Sequence, residues 1–174
     1  DAFEGATAYK VASFDLPDLD LISYIARKGK PVILSTGMAD WSDIQNGVGA
    51  CRSVGNNEII LMQCTSLYPA PADLSNLAAM SAMRRAMGCV TGYSDHTIGD
   101  NVTLAAVALG ACMVEKHFTL DTSMPGPDQT TSYTPQAFRR LVNNIRETET
   151  LLGSAIKQPT DVERANAKGM RRSI

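Results

Sequence analysis

The chain has two histidines, His96 and His117, and each stands at or just after the end of a short apolar run. Two imidazoles converging from neighbouring strand ends can bind a divalent cation and leave positions open for water or substrate, as metal-assisted catalysis requires. The alternative is that each ring hydrogen-bonds its own loop. Glu115 lies two residues before His117, so strand alternation points both side chains the same way and Lys116 the other. That carboxylate is read as a substrate contact or, equally, as a paired group of a barrel interior. Lys10 opens the first apolar run and could neutralise an anionic substrate, or be simply solvated. Ser13, Ser35, Thr36, Ser66, Ser94 and Thr97 recur just after the apolar runs, with Asp15, Tyr68 and Asp128 in comparable places. Taken singly these are ordinary turn residues, but repeated hydroxyl donors around one mouth suit phosphate or carboxylate oxygens.

Elements that could bring these residues together follow from the apolar pattern. YKVASF at 9–14, PVILST at 31–36, EIILMQC at 58–64, CVTGY at 89–93 and CMVEKHF at 112–118 read as strands. Helically spaced apolar residues lie between them, for example Leu19, Leu21, Ile22, Tyr24 and Ile25, then Val102, Leu104, Ala105, Val107 and Ala108. LAAMSAMRRAM at 77–87 has the spacing of a core-facing helix and is given no cofactor role. The order βαβαβαβαβα, with near-continuous apolar strands, predicts a parallel sheet covered by helices. Strand starts step by 22, 27, 31 and 23 residues, the length of a βα unit in a barrel of about 250 residues and eight strands. An open doubly wound sheet is the rival, but no strand is followed by a GxGxxG turn. The expected fold is α/β, a parallel (β/α) TIM-type barrel with about five of its eight βα units present. Five units do not close such a barrel, so the chain reads as a piece of a longer protein, beginning abruptly at Asp1 and ending at RRSI.

A net charge of -2, with paired arginines only at Arg84-Arg85, Arg139-Arg140 and Arg171-Arg172, gives no basic stripe for nucleic acid. No stretch approaches the roughly 20 apolar residues of a membrane span, and DAFEGATAYK lacks a signal-peptide layout. The expectation is a cytoplasmic protein with a small-molecule partner. Cys51, Cys64, Cys89 and Cys112 form no CxxC pair, which predicts reduced and mostly buried thiols.

YKVASFD at 9–15, GKPVILSTGM at 29–38, QCTSLYPAP at 63–71, GYSDHTIG at 92–99, VALGACMVEKHFTLD at 107–121 and PGPD at 125–128 follow one another at the strand ends. Together they resemble the C-terminal part of the barrel domain of the N-acetylneuraminate (sialic acid) synthase family, which includes the legionaminic and pseudaminic acid synthases, so that the first strands are the ones expected to be missing. The resemblance implies a metal-dependent condensation of phosphoenolpyruvate with an N-acetylmannosamine-type sugar, giving a nine-carbon 2-keto acid and phosphate. It implies Mn2+ as cofactor, with Mg2+, Co2+ or Zn2+ as alternatives, held by His96 and His117. Lys10, Ser13, Ser35, Ser66 and Ser94 would line the phosphoenolpyruvate site, and Tyr68 and Asp128 would face the sugar. Asp15, Glu115 and Asp128 are the candidate catalytic carboxylates, Asp15 standing where the family commonly has glutamate.

Other departures are Gln63 where the family often has histidine, Ser66 for asparagine, and Gln129 for histidine. The resemblance also implies a homodimer of the intact protein. Residues 1–155 are read as a partial barrel, and 156–174, containing KQPTDVERANAKG, as a linker toward an antifreeze-like C-terminal domain. The competing reading is a non-catalytic half-barrel that binds a metal or a sugar phosphate.

Overall fold

A computed structural model describes residues 5–171. Asp1 and the final residues 172–174, with the abrupt ends read from the sequence, lie outside them. Five parallel strands run in chain order: β1 (Tyr9–Val11), β2 (Val32–Ser35), β3 (Ile59–Cys64), β4 (Val90–Asp95) and β5 (Val114–Lys116). Helices α1 (Leu19–Ala26), α2 (Trp41–Ser53), α3 (Leu77–Met87) and α4 (Asn101–Ala108) connect them, and α5 (Pro135–Leu152) and α6 (Asp161–Met170) follow.

Local chemistry sets the helix ends. Asp18 accepts from the Leu21 N–H at the start of α1, and Asp40 forms a capping box with Asp43 at the start of α2. Thr134 caps α5, whose first residue, Pro135, has no N–H to leave unpaired. Gly88, in the left-handed region at φ 63°, ends α3. The polar stretch read as a linker contains α6, whose Thr160 and Glu163 form a second capping box.

Alternation divides the sheet into two faces. Val11, Val32, Leu34, Ile59 and Leu61 face the helices and pack with Leu16, Ile22, Ile44, Val48, Cys51, Met83 and Met87 into the main core. Met80, Tyr93 and Ala106 form a second cluster, and Leu141 of α5 is fully buried. As the spacing of 77–87 predicts, the buried residues of α3 are Met80, Met83 and Met87. The opposite face is concave. Lys10 of the first strand and Glu115 of the last meet across it at 2.8 Å, so the five strands curl into a half-barrel.

Candidate active site

The concave face carries the chemistry at the C-terminal ends of the strands. In register, Cys64 of β3 lies beside Ser94 of β4, and Ser94 beside Glu115 of β5. A cavity of about 200 Å³ opens there, lined by Lys10, Ser13, Phe14, Ser35, Cys64, Tyr68, Ser94, His96, Glu115 and His117. Eight of the residues expected from the sequence to form a site are therefore brought together by all five strands. A cavity of about 590 Å³ lies alongside, lined largely by apolar groups such as Met38, Trp41, Leu67 and Met83. Its one ionisable carboxylate, Asp40, is occupied in capping α2. The smaller cavity is the better candidate because the titratable groups converge in it.

Glu115 accepts from Lys10 Nζ and from Ser94 Oγ, each at 2.8 Å. Burial works to raise its pKa, but these two donors and nearby His96 outweigh it and hold the carboxyl below its ordinary value. A carboxylate held ionised suits orientation of Lys10 or acceptance of a proton; it is poorly placed to be an acid. Ser13 Oγ accepts from the Gly37 N–H at 3.0 Å and lies 3.3 Å from Cys64 Sγ. Ser35 Oγ is buried with no hydrogen-bond partner, an unspent polar group of the kind a ligand oxygen satisfies.

His96 and His117 face each other with ring centroids 5.3 Å apart, and Tyr68 lies 4.3 Å from the first ring and 5.4 Å from the second. His96 Nδ1 is 2.8 Å from the Thr65 carbonyl oxygen. That partner can only accept, so the proton sits on Nδ1 and Nε2 keeps its lone pair. Burial is the largest influence on this ring and lowers its pKa, which keeps it neutral. Burial likewise raises the Tyr68 phenol, reinforced by Cys64, Asp128 and Glu115, so it remains a hydrogen-bond donor. Asp128 lies outside the cavity lining but reaches His117, with Oδ2 3.6 Å from Nδ1.

Two expected residues are placed elsewhere. Asp15 closes a short 3-10 turn at Ser13–Asp15, where its side chain is exposed and does not line the cavity. The turn follows β1 directly and carries Asp15 past the mouth. Ser66 lines the larger cavity, its hydroxyl buried without a partner next to Gly37. Sequence reasoning missed Cys64, which lines the smaller cavity; it lies in register with Ser94, which alternation could have shown.

The donor chemistry accommodates a divalent ion at two protein ligands, one imidazole having its tautomer fixed. Among the described residues no group of three or more His, Cys, Asp or Glu side chains is arranged to hold one. Any such ion takes its remaining ligands from substrate or water. None of the described helices is long and apolar enough to cross a membrane.

The chain is 40% identical over 172 residues to the N,N'-diacetyllegionaminic acid synthase of Campylobacter jejuni, covering 98% of this chain and 52% of that protein. It is 46% identical over 167 residues to an uncharacterised protein of Methanocaldococcus jannaschii, covering 96% of this chain and 50% of that one. The chain thus spans about half the length of these curated relatives, and the match lies toward their N-terminal part, not their C-terminal part. The crystal structure of N-acetylneuraminic acid (sialic acid) synthetase from Leptospira borgpetersenii, in complex with citrate, superposes with a TM-score of 0.86 at 32% identity, over 97% of this chain and 60% of that one. The model of the NeuB family matches residues 4–157. On that match, and on a barrel wall that gathers the family-like motifs at one mouth, the chain belongs to the NeuB family.

Proposed function

We propose that the protein to which this chain belongs condenses phosphoenolpyruvate with an N-acetylmannosamine-type sugar in the cytoplasm, yielding a nine-carbon 2-keto acid and phosphate. The intact enzyme is proposed to be a homodimer. The observation that carries the reading is the single cavity in which Lys10, Ser13, Ser35 and Ser94 face Tyr68, His96 and His117. A cation and three hydroxyls are what the phosphate and carboxylate of phosphoenolpyruvate require, because charge-assisted hydrogen bonds to these oxygens are stronger than neutral ones. Tyr68 supplies a neutral phenolic donor for a sugar hydroxyl, and Asp128, beside His117, an acceptor.

His96 and His117 would hold a divalent ion, Mn2+ before Mg2+ because imidazole is a borderline-soft ligand. When bound, the ion supplies polarisation of the sugar carbonyl. Glu115 holds Lys10 in place until an anion competes for the ammonium, and its ionised state makes it an acceptor for the proton released when water adds at C2 of the condensed phosphoenolpyruvate, before phosphate departs. Asp15, exposed on its turn, has no part in this scheme.

Calorimetric titration of this chain with phosphoenolpyruvate tests the reading. Binding should weaken at least about tenfold, or 1.4 kcal/mol, in Lys10→Ala. Affinity unchanged by both Lys10→Ala and Ser35→Ala would refute it. Phosphate release with N-acetylmannosamine and Mn2+ is expected of the full-length protein and not of this chain alone. Ligand binding without turnover in the full-length protein would favour the non-catalytic half-barrel.

A further inference from the structure

Immediately before each histidine stands one member of a buried ion pair. Lys116 Nζ lies 2.9 Å from Asp95 Oδ2, with the two side chains 1% and 0% exposed. Asp95 and Lys116 are register partners in the β4–β5 ladder, which ends with them. They face the helix layer, while the next residues, His96 and His117, line the cavity on the concave side.

The pair is fully engaged. Asp95 Oδ1 accepts from Thr97 N at 2.8 Å and Thr97 Oγ1 at 2.7 Å, and Oδ2 accepts from Thr103 Oγ1 at 2.5 Å. Lys116 donates to the Thr97 carbonyl at 2.7 Å and sits 4.5 Å from the centre of the Tyr133 ring. Tyr133 in turn donates its N–H to the His117 carbonyl at 2.8 Å. One register step earlier, on the concave face, Ser94 Oγ donates to Glu115. Side chains therefore cross-link the two strands on both faces just below the point where the imidazoles emerge.

We propose that the Asp95–Lys116 pair is a positioning clamp that fixes the separation and tilt of the His96 and His117 rings, which stand 5.3 Å apart at 65°. The inference rests on reading the two histidines as a ligand pair. Stability alone does not account for the clamp, because a buried ion pair contributes little beyond a well-packed apolar pair of similar shape. What it adds is direction: its contacts run to residues 95–97, to α4 and to the segment paired with His117, and each opposes a slide of one strand past the other. With only two protein ligands, a shift of one ring is not averaged over a larger set. Loss of groups that orient metal ligands costs roughly 10- to 100-fold in affinity.

The chain's two histidines give two imidazole spin systems in a proton–carbon NMR spectrum. Wild type is expected to show a nuclear Overhauser cross-peak between the rings and to bind Mn2+. The double variant Asp95→Asn/Lys116→Met removes both charges together. It should melt cooperatively, lose the cross-peak and bind Mn2+ roughly 10- to 100-fold more weakly. Lys116→Met alone strands a buried carboxylate and should melt below the double variant, which separates the cost of an unpaired charge from the loss of positioning. A folded double variant that retains the cross-peak overturns the clamp. If that variant does not fold, Thr103→Val, which deletes one donor to Asp95, is read in the same way: a weakened cross-peak supports the clamp and an unaltered one overturns it. If wild type binds no Mn2+, the metal reading falls while the cross-peak still decides the clamp.

Discussion

Replacing Gly37 with alanine should damage the candidate site more than the fold. A Cβ on Gly37 would fall 2.2 Å from Ser66 Oγ, 2.9 Å from Ser13 Oγ and 3.1 Å from Cys64 Sγ. Normal contact is ~3.5 Å, so Ser66 must retreat by about 1 Å and Ser13 by about half as much. The two nearest obstacles are hydroxyls on rotatable bonds, Cys64 Sγ need give only a few tenths of an ångström, and Gly37 is not in the left-handed region, so the loop backbone need not move. Losing the Gly37–Ser13 hydrogen bond costs about 1 kcal/mol, and overpacking about 1–3 kcal/mol. The stiffer unfolded chain returns about 0.4–1 kcal/mol. A net loss of about 1–3 kcal/mol corresponds to a melting temperature lower by roughly 3–8 °C at this chain length. Ser13 lines the cavity, so phosphoenolpyruvate affinity should fall at least about tenfold. Thermal denaturation and calorimetry on the same sample check both numbers. An unchanged melting temperature refutes the packing argument, and an unchanged affinity alongside the expected melting loss refutes the placement of these hydroxyls at the ligand.

Gly92→Ala meets a different obstacle, since its Cβ would lie 2.6 Å from both the Met113 carbonyl oxygen and Met62 Sδ. A backbone oxygen cannot rotate away, so this variant should melt lower than Gly37→Ala. Iodoacetamide near pH 8 should label exposed Cys112 first, as mass spectrometry would show, and Cys51 only after denaturation. Burial, reinforced by Cys89, pushes the Cys51 thiol up to about 11. At Asp100, burial works against ionisation, but hydrogen bonds from Tyr133, Arg140 and Asn144 outweigh it and lower the pKa. That stabilisation is present above the unfolded carboxylate pKa of about 3.9 and is lost as pH falls through the lower folded value. Tyr133→Phe should therefore be less stable than wild type at pH 7, with the gap narrowing below about pH 4 in urea titrations.

The strand order and parallel pairing were legible because apolar runs bounded by polar turns are the strongest local signal a sequence carries. The edge strands are shorter than their runs: β1 stops at Val11 because the chain turns at once into the 3-10 turn of Ser13–Asp15, and β5 is three residues within the seven-residue run at 112–118. The convergence of Ser13, Ser35, Ser94 and the histidines followed from their strand-end positions, whereas Lys10 and Glu115, each in the middle of an edge strand, meet only because the sheet curls. The exposure of Asp15 did not, since a single turn residue decides it. Helix α6 escaped notice because its composition is polar, although Thr160 and Glu163 spell a capping box. The Asp95–Lys116 pair was hidden by the expectation that the helix-facing side of a parallel strand is apolar.

The Lys10–Glu115 contact joins residues 105 apart in the chain, whereas register partners in neighbouring strands are separated by roughly 20 to 30. Each strand can dock on the one made just before it, so the sheet grows by short loop closures whose entropic cost rises slowly with length. The accumulated twist, not the ion pair, brings the two edges together, because both partners are more than one-third exposed and their mutual attraction is slight. The mouth that Lys10 and Glu115 line is complete only once the fifth strand is in place. Contacts across it belong to the unfolding barrier, so weakening them should hasten opening while leaving the folding rate unchanged.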